Sequence, residues 1–574
     1  MRSLRLWGWL EQGMEPPQAP LRSRKRAGGE LRRVLVDLTP VLPGGENGGA
    51  KLLALELVQH LAAQARDCQF ILLTQAAAHD ELASLDAENV SRLCVLGEIQ
   101  PGASESQWRR QLTALLGKGL SADALRKLSE AYREIVSGPA RSSLPSRLEA
   151  DLVFFPFTAP LHYDPTIPSV SVVYDLQYLL YPQFFRPEER AARDRSFRDA
   201  GATATRLICI SDFVRGSVLE TARVPPEKVV TVHIALGHRL GKPGSQVIRK
   251  VLEPLDLRPE GFLLYPANFW RHKNHEMLLT AFGIYRRRHP ESDLKLVLTG
   301  APSPRRDYLM AAAARMGLGR VTLAPGFLSN EEFAALLDSS LAVVFPSLFE
   351  GFGIPVVEAM SAGRPVLCSN VTSLPEVAGG AALLFDPRKP DEIAASIERI
   401  VGDSELRATL VERGRLRAAE LGTPEKMAAA YWKVMREAAG QHGAFDTVLH
   451  GAYADGWTAE RLTVTCGEGA PGRRARIVLE APGSLPWPAV TLEVSRSDID
   501  DAEELNLERG TQTAVEAELP TEGGWARVTV SPYFQPSAYG SPDTRLLGCR
   551  LKSCQILDPD GTTRELGPGA GGAA

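Results

Sequence analysis

The chain repeats one pattern twice, in which short, continuous apolar runs alternate with longer stretches of helical spacing. Such runs are typical of strands covered on both faces, and their alternation with helices predicts parallel sheets in α/β layers. The first block contains "RVLVDL" and "RLICIS", and the second contains "FLLYPA" and "LAVVFPS". A linker-like stretch, residues 236–261, separates the blocks. We therefore predict two Rossmann-like domains that face each other across a ligand-binding cleft.

A different pattern begins near residue 445, where apolar and polar residues alternate between turns such as "DPDG". This pattern predicts an all-β sandwich or barrel, and we adopt the sandwich. The expected segments are a disordered tail at 1–30, a first Rossmann-like domain at 31–245, a second at 246–422, a helix crossing back to the first at 423–444, the β-sandwich at 445–565 and a flexible tail at 566–574. Met14 is an alternative start within the first tail.

The composition excludes several classes of protein. With a net charge of −4 and no dense basic patch, the chain is not expected to bind nucleic acid. The absence of a run of eighteen apolar residues argues against a transmembrane helix. Seven scattered cysteines without zinc-site spacing indicate reduced thiols and a cytoplasmic protein. The "RSRKR" cluster of the first tail is interpreted as solvated, and peripheral contact with anionic lipid of the inner membrane is the alternative.

The strongest candidate site is "VVFPSLFEGFGIPVVEAM", a predicted buried strand followed by a tight turn and a helix. Gly351 and Gly353 allow backbone amides to approach a ligand, and Pro355 suits the first turn of a helix. Free amides at a helix N-terminus favour an anion, while Glu350 and Glu358 can accept hydrogen bonds from sugar hydroxyls. A nucleotide-sugar has a diphosphate between two sugars and fits this arrangement. The alternative is an ordinary turn with two surface glutamates.

A second candidate is "YPANFWRHKNHE", in which Arg271 and Lys273 precede a helix opened by Asn274. Cations at a helix N-terminus oppose the helix dipole unless an anion lies between them. They would stabilise the charge on a departing diphosphate. Solvated surface cations are the alternative. His272 and His275 have no aligned metal ligands and are expected at the surface or behind the site.

A third candidate is the loop "LPGGENGGAK", whose glycines lead into an amphipathic helix and would point amides into the cleft. The loop matches neither the dinucleotide-binding nor the ATP-binding glycine pattern, so neither cofactor is expected. A flexible linker is the alternative.

The segment "GFLSNEEF…LFEGFGIPVVEAMSAGRPVLCSN", with "WRHKN" and "SVVYDLQYLLYPQFF", resembles the family 4 retaining glycosyltransferases, in particular their bacterial mannosyltransferase-like branch. The resemblance covers about residues 33–440 and is most specific over the E-x7-E pair Glu350 and Glu358. It implies a GT-B fold, with the first domain binding the acceptor and the second the donor. The sandwich resembles one appended to some bacterial members. Its aromatic residues Trp457, Trp487 and Tyr533 could bind glycan; a packing or oligomerisation role for the domain, or ordinary core aromatics, are the alternatives.

The resemblance also implies roles for individual residues. Arg271 and Lys273 would hold the diphosphate, and Glu350 would bind the donor sugar; these are the three expected catalytic residues. The donor-binding residues would be Gly48, Gly49, Phe352, Gly353, Ile354 and the ribose-binding Glu358. No metal or cofactor is implied. The departing phosphate oxygen would take the acceptor proton, with attack on the face that the diphosphate leaves.

Two departures concern the acceptor side and the cations. Tyr174-Asp175-Leu176 stands where relatives have His-Asp-Leu, and "PANF" stands where many have an arginine. Asp498, Asp500 and Asp501 form a metal-like "DID" pattern, but it lies in the β-domain and is expected to be a solvated turn.

We predict a retaining transferase that moves a hexose, mannose in the first instance, from a nucleotide-diphosphate donor such as GDP-mannose. The predicted acceptor is a glycan or lipid-linked intermediate of a surface polysaccharide or lipopolysaccharide. The alternatives are a catalytically idle GT-B scaffold that binds glycan and a phosphorylase-like enzyme that uses pyridoxal phosphate.

Overall fold

The computed structural model describes residues 31–43, 47–96, 144–164, 167–221, 224–237, 239–326, 328–441, 447–452, 456–496, 499–533 and 547–566. The predicted tail at 1–30, all but Leu566 of the tail predicted at 566–574, the glycines Gly44 and Gly45, and a long helix that the sequence "SQWRRQLTALLGKGL" favours lie outside these residues.

The first domain is built on a seven-stranded parallel sheet with the order β3-β2-β1-β4-β5-β6-β7. Its central strands are buried on both faces, which explains why they appear in the sequence as continuous apolar runs. The strands are β1 Arg33–Asp37, β2 Gln69–Gln75, β3 Val90–Leu96, β4 Leu152–Phe155, β5 Ser169–Val173, β6 Arg206–Cys209 and β7 Val229–Thr231.

Helices cover both faces of this sheet. The α-helices are α1 Gly48–Gln64, α2 Ala76–His79, α3 Leu144–Arg147, α4 Gln177–Leu180, α5 Pro187–Thr203 and α6 Asp212–Thr221. Short 3-10 helices span Glu81–Leu85, Pro182–Phe184 and Pro226–Lys228.

The second domain repeats the architecture with a six-stranded parallel sheet of order β10-β9-β8-β11-β12-β13. Its strands are β8 Phe262–Pro266, β9 Lys295–Thr299, β10 Thr322–Leu323, β11 Ala342–Phe345, β12 Val366–Ser369 and β13 Leu383–Phe385. Its helices are α7 Ser245–Leu252, α8 His275–Arg288, α9 Pro304–Arg315, α10 Asn330–Ser339, α11 Ile354–Ser361, α12 Leu374–Ala378, α13 Pro390–Gly402 and α14 Ser404–Leu421, with 3-10 helices at Glu253–Leu255 and Arg271–Lys273.

A last helix, α15 Pro424–Gln441, leaves the second domain and packs on the first. Its Trp432 ring lies 6.1 Å from Phe70 of β2, and its Tyr431 ring lies 6.1 Å from Phe154 of β4. The chain thus returns to the first domain before the β-domain begins.

The C-terminal domain consists of two antiparallel sheets that share one apolar core, so the expected sandwich is confirmed. One sheet has the order β14-β15-β20-β17-β18, and the other has the order β19-β16-β21-β22. The strands are β14 Val448–Ala452, β15 Thr458–Glu468, β16 Arg474–Glu480, β17 Ala489–Arg496, β18 Ile499–Glu508, β19 Gln512–Glu518, β20 Glu522–Ser531, β21 Arg550–Leu557 and β22 Thr563–Glu565.

The sandwich lies against α5 of the first domain, where Arg461 and Asp199 approach within 3.7 Å with both side chains mostly buried. Nearby, Arg527 is buried, stacks over Trp525 at 4.3 Å and donates to Thr463. None of the described helices has the length and apolarity needed to span a bilayer.

Candidate active site

The loop after β11 places Glu350 at the carboxyl edge of the second sheet, the edge at which open α/β sheets bind ligands. Its backbone is fixed from both sides by the segment that follows β12. The Thr372 hydroxyl accepts a hydrogen bond from the Glu350 N–H at 3.1 Å. The Ser373 hydroxyl lies 2.9 Å from the Glu350 carbonyl oxygen and 3.1 Å from that of Phe352. The loop is therefore held in one shape by contacts distant in sequence.

Lys273 and Glu350 form an ion pair, with the ammonium nitrogen 2.6 Å from a carboxylate oxygen. Each side chain is 12% exposed, so water screens the pair much less than a surface pair. The Tyr265 hydroxyl donates to the Lys273 carbonyl, and the Asn274 amide donates to the carbonyls of Pro346 and Pro387. These bonds fasten the cationic segment to the loop that carries Glu350.

Arg271 and Trp270 stand at the exposed side of this segment. The Arg271 guanidinium makes no hydrogen bond or ion pair within the part of the chain that the structure describes. Lys273 and Arg271 thus differ: one cation is already paired and the other is available to a ligand.

The helix α11 begins at Ile354, directly after Gly353, whose φ of 104° is one that residues with a Cβ rarely adopt. Pro355 occupies the first turn, and no side chain caps the helix N-terminus. The first-turn amides therefore remain a favourable site for an anion. Phe352 is buried and anchors the turn.

The glycine loop of the first domain meets this helix end from the opposite side. Helix α1 also starts without a side-chain cap, at Gly48. A Cβ placed on Gly48 would lie 3.4 Å from the Trp270 ring, and one on Gly49 would lie 3.2 Å from the Ile354 side chain. Two uncapped helix N-termini from different domains therefore approach the same space.

Glu358 lies inside α11 and is 2% exposed. Its carboxylate forms a short ion pair with Arg239, which belongs to the linker between the domains and also donates to Asn330 at 3.1 Å. Burial raises the pKa of Glu358, and the Arg239 guanidinium offsets part of that rise.

Tyr174 and Asp175 follow β5 at the carboxyl edge of the first sheet. The Tyr174 hydroxyl donates to the Ala50 carbonyl at 3.3 Å, so the side chain supports the start of α1. Its carbonyl oxygen touches the Glu350 loop, since a Cβ on Gly351 would lie 2.0 Å from it. The Asp175 carboxylate accepts from the Gln177 N–H at 3.0 Å and starts α4.

Of the two expected positions, His275 occupies the one behind the site, fully buried against the rings of Tyr265 and Phe269. Burial lowers its pKa to about 3, so the imidazole is neutral at physiological pH. His272 is half-buried beside the Trp270 ring, and desolvation lowers its pKa to about 3 as well. Both histidines are packing residues behind the Lys273 segment.

The sequence patterns missed polar groups in three places. Arg239 lies in a segment that the sequence predicts only as a linker. At the carboxyl end of β1, the buried Asp37 carboxylate lies 3.0 Å from the His162 ring and accepts two hydrogen bonds from Thr39. Glu376 of α12 contacts the first domain. Each partner is distant in sequence, so no local spacing signals these contacts. In the β-domain, Asp498 lies outside the described residues, and Asp500 and Asp501 belong to β18.

Residues 254–417 match the family model of the glycosyl transferases group 1. The chain is 27% identical over 370 residues to an O-antigen chain mannosyltransferase B of Escherichia coli, covering 64% of this chain and 90% of that protein. It is 34% identical over 231 residues to an MMP alpha-(1->4)-mannosyltransferase of Mycolicibacterium hassiacum, covering 39% of this chain and 52% of that protein. A serotype-specific mannosyltransferase of Escherichia coli is 30% identical over 250 residues, 41% of this chain and 29% of that protein.

Solved structures show the same two-domain fold. The Anabaena HepE protein, solved with UDP and glucose, aligns with a TM-score of 0.53 and 18% identity over 71% of this chain and all of that chain. A sucrose-phosphate synthase from Thermosynechococcus elongatus aligns with a TM-score of 0.51 and 19% identity over 71% and 98% of the two chains. The two parallel-sheet domains thus have the GT-B fold, with an additional C-terminal β-sandwich, and the second of them is similar to the group 1 glycosyl transferases over residues 254–417.

Proposed function

We propose that the protein is a retaining mannosyltransferase that uses a nucleotide-diphosphate sugar, with GDP-mannose as the first candidate. The acceptor would be a glycan or lipid-linked intermediate of a surface polysaccharide or lipopolysaccharide. The names of the similar proteins, an O-antigen chain mannosyltransferase and other mannosyltransferases, support the choice of mannose and of a polysaccharide product.

One observation supports the donor site above all others. The uncapped N-termini of α1 and α11 approach each other from two domains, beside the Lys273–Glu350 pair. Amides, a cation and a carboxylate around one gap match a diphosphate that is joined to a sugar.

Different residues then bind different parts of the donor. Lys273 and Arg271 neutralise the diphosphate, together with the amides of Phe352, Gly353 and Ile354 and the glycine loop at Gly48 and Gly49. Glu350 accepts hydrogen bonds from the transferred sugar, and its pairing with Lys273 places sugar and phosphate in adjacent positions. Glu358 accepts hydrogen bonds from the ribose hydroxyls. Because the Glu358 carboxylate is paired with Arg239, at least one of its oxygens must be released from that pair when the ribose binds.

The chemistry proposed is direct and needs no metal, because fixed cations and amides supply the positive charge that a departing diphosphate requires. The bond between the anomeric carbon and the phosphate oxygen breaks while the acceptor oxygen attacks from the same face. The departing phosphate oxygen receives the acceptor proton.

Residues of the first domain would orient the acceptor. Tyr174 and Asp175 stand at the carboxyl edge of its sheet, where the first domain touches the Glu350 loop. The Asp37–His162 pair lies at the end of the neighbouring strands, and a carboxylate at one ring nitrogen orients the other toward a hydroxyl. We propose His162 as an acceptor-binding residue.

A panel of nucleotide-sugars tests the proposal, with purified protein assayed for donor hydrolysis and calorimetry for GDP and UDP binding. The expected result is binding of a nucleoside diphosphate and turnover of a matching mannose donor. Binding of neither nucleotide would favour the alternative of a catalytically idle glycan-binding scaffold. Absorbance of pyridoxal phosphate in the purified protein would favour the phosphorylase-like alternative.

We also propose a cytoplasmic location, with peripheral contact to the inner membrane if the acceptor is lipid-linked. The seven cysteines are all free thiols, which agrees with a reducing compartment. Cell fractionation tests this point.

A further inference from the structure

The backbone of the Glu350 loop contacts the first domain directly. The buried Ser211 hydroxyl, at the start of α6, donates to the Gly351 carbonyl at 2.7 Å. The same hydroxyl accepts from the Val214 N–H at 3.2 Å and so caps α6. One side chain therefore joins a first-domain helix to the Glu350 loop.

A carboxylate of the second domain completes the cap of that helix. The two oxygens of Glu376 accept hydrogen bonds from the N–H groups of Asp212 at 2.8 Å and Phe213 at 2.9 Å. One of them also lies 2.6 Å from the His233 ring nitrogen, with the two side chains 22% and 32% exposed. Helix α6 is thus capped across the domain boundary.

Apolar contacts reinforce the same junction. Phe349, the residue before Glu350, is buried with its ring 5.8 Å from Phe213 and 6.3 Å from Tyr181, both of the first domain. The Tyr181 hydroxyl also accepts from Arg388 of the second domain at 2.9 Å.

Together these contacts form a closed circuit that includes the Glu350 loop. Glu376 lies on α12, and the residues directly before α12, Thr372 and Ser373, hold the backbone of Glu350 and Phe352. The circuit runs from α6 through Glu376 to Ser373, then through the loop to Gly351 and back to Ser211. Separating the domains would break this circuit at both Ser211 and Glu376.

We propose that Glu376, Ser211 and His233 form an interdomain clasp that couples closure of the domains to the shape of the Glu350 loop. Glu376 and Ser211 act as positioning residues for the proposed transfer, and this inference rests on the proposed function for its catalytic consequence. With the clasp closed, Glu350 and the α11 amides face the gap together. With the clasp open, Gly351 loses its partner and α6 loses both amide acceptors.

The cluster has a rival explanation as a cation site, because Asp212, His233 and Glu376 offer ligand atoms within 4.8 Å of one another. The Glu376 oxygens already accept hydrogen bonds from two backbone amides and lie beside the His233 ring. These bonds account for the arrangement without an ion.

Hydrogen exchange measured by mass spectrometry tests the clasp without any substrate. In the full-length protein, Glu376→Gln and Ser211→Ala should each speed exchange in peptides that span residues 346–353, by about tenfold for the loss of one hydrogen bond. Peptides of α13, on the far side of the second domain, should be unchanged. Glu412→Gln, at an exposed position of α14, is the matched control and should change neither.

The double variant separates a coupled clasp from two independent contacts. Coupling predicts that Glu376→Gln together with Ser211→Ala speeds loop exchange by a factor clearly different from the product of the single effects. Unchanged loop exchange in both single variants, or strictly multiplicative effects in the double variant, would overturn the proposal. Should either variant fail to fold, its circular dichroism would reveal this, and the other variant carries the test.

Kinetics link the clasp to transfer. Both variants should lower kcat about tenfold or more and should also weaken binding of the nucleoside diphosphate, because its proposed amide ligands lie in the Glu350 loop and in the opposite domain at Gly48 and Gly49. If the wild-type protein binds no nucleotide, the proposed function fails while the exchange result still decides the clasp. If loop exchange rises but kcat does not fall, the clasp has no catalytic role and that part of the inference is wrong.

Discussion

The Lys273 ammonium nitrogen lies 2.6 Å from a Glu350 carboxylate oxygen, and both side chains are mostly buried, although the two residues are 77 positions apart in sequence. The cation belongs to the segment after β8 and the carboxylate to the loop after β11, two strands that are neighbours in the sheet. Adjacent parallel strands therefore bring together the groups proposed for the diphosphate and for the donor sugar.

Lys273→Ala should lower kcat by about 10²–10³, the scale for removing one preorganised charge stabiliser. Nucleotide-sugar turnover under saturating donor measures the effect. Lys250→Ala, at an exposed position of α7, is the matched control and should keep full activity. Full activity of Lys273→Ala would remove this residue from the diphosphate site.

Gly351→Ala should impair transfer because the new Cβ would meet the Tyr174 carbonyl oxygen at 2.0 Å and force the domains apart. We expect a loss of about 10² in kcat, as for a misplacement of reacting groups by roughly 1 Å. Calorimetry should show weaker nucleoside diphosphate binding as well, since the proposed phosphate ligands Gly48 and Gly49 belong to the domain that is displaced.

Gly402→Ala is the control, because a Cβ there meets no atom of the described residues within 4 Å. Wild-type kcat in Gly351→Ala would mean that the closed arrangement is not the one that catalyses transfer.

The sequence predicted elements whose signals are local. The run "LAVVFPS" is a buried strand because both faces are covered by helices, and the glycines and proline after it mark the turn and the start of α11. The two parallel sheets and the antiparallel sandwich likewise follow from periodicity and turn residues, whereas the order of the strands within each sheet does not.

The sequence did not predict contacts between groups brought together by domain packing. Arg239 pairs with Glu358 across 119 residues, and Glu376 caps a helix 164 residues away. No local pattern distinguishes a surface position from a buried one for His275, and its position at the start of α8 turns the ring into the core. Such pairings depend on tertiary geometry, which spacing along the chain does not encode.

Arg239→Met should destabilise the protein by about 3–5 kcal/mol, the cost of leaving a buried carboxylate without its partner. Glu358 remains ionisable at 2% exposure, and burial raises its pKa. Urea unfolding measures the change, and Arg239→Met combined with Glu358→Gln should recover a large part of it because the unpaired charge is gone.

Arg249→Met is the comparison variant, since its ion pair with Glu253 is exposed on both sides and should contribute little. Equal losses in Arg239→Met and Arg249→Met would contradict the structural role given to the Arg239–Glu358 pair.

His162→Gln should raise the KM for the acceptor by about fivefold to tenfold, the scale of one hydrogen bond, while donor hydrolysis is unchanged. Asp37→Asn should act in the same direction, because the amide no longer holds the ring with a charge. His289→Gln, exposed at the end of α8, is the control. An unchanged acceptor KM would leave the Asp37–His162 pair with a structural role only.

We expect Glu376 to make a contribution to the free energy of unfolding that is lost in acid. Burial alone would raise its pKa, but the hydrogen bonds from His233, Asp212 and Phe213 outweigh this, and its pKa lies below the ordinary 4.5. The unfolded state therefore binds the proton more readily, so the contribution is complete above pH 4.5 and is lost as the pH falls through the folded pKa. The Tm difference between wild type and Glu376→Gln should be largest near pH 7 and should shrink in acid.

Asp212 and His233 face Glu376 from the first domain and are retained in both proteins. Glu412→Gln should show no pH-dependent difference from wild type, because its exposed side chain has no such donors. A Glu376→Gln difference that stays constant from neutral pH to acid, or grows, would mean that the Glu376 carboxylate is not held by charge-dependent hydrogen bonds. The cap on α6 would then be replaceable by any polar side chain.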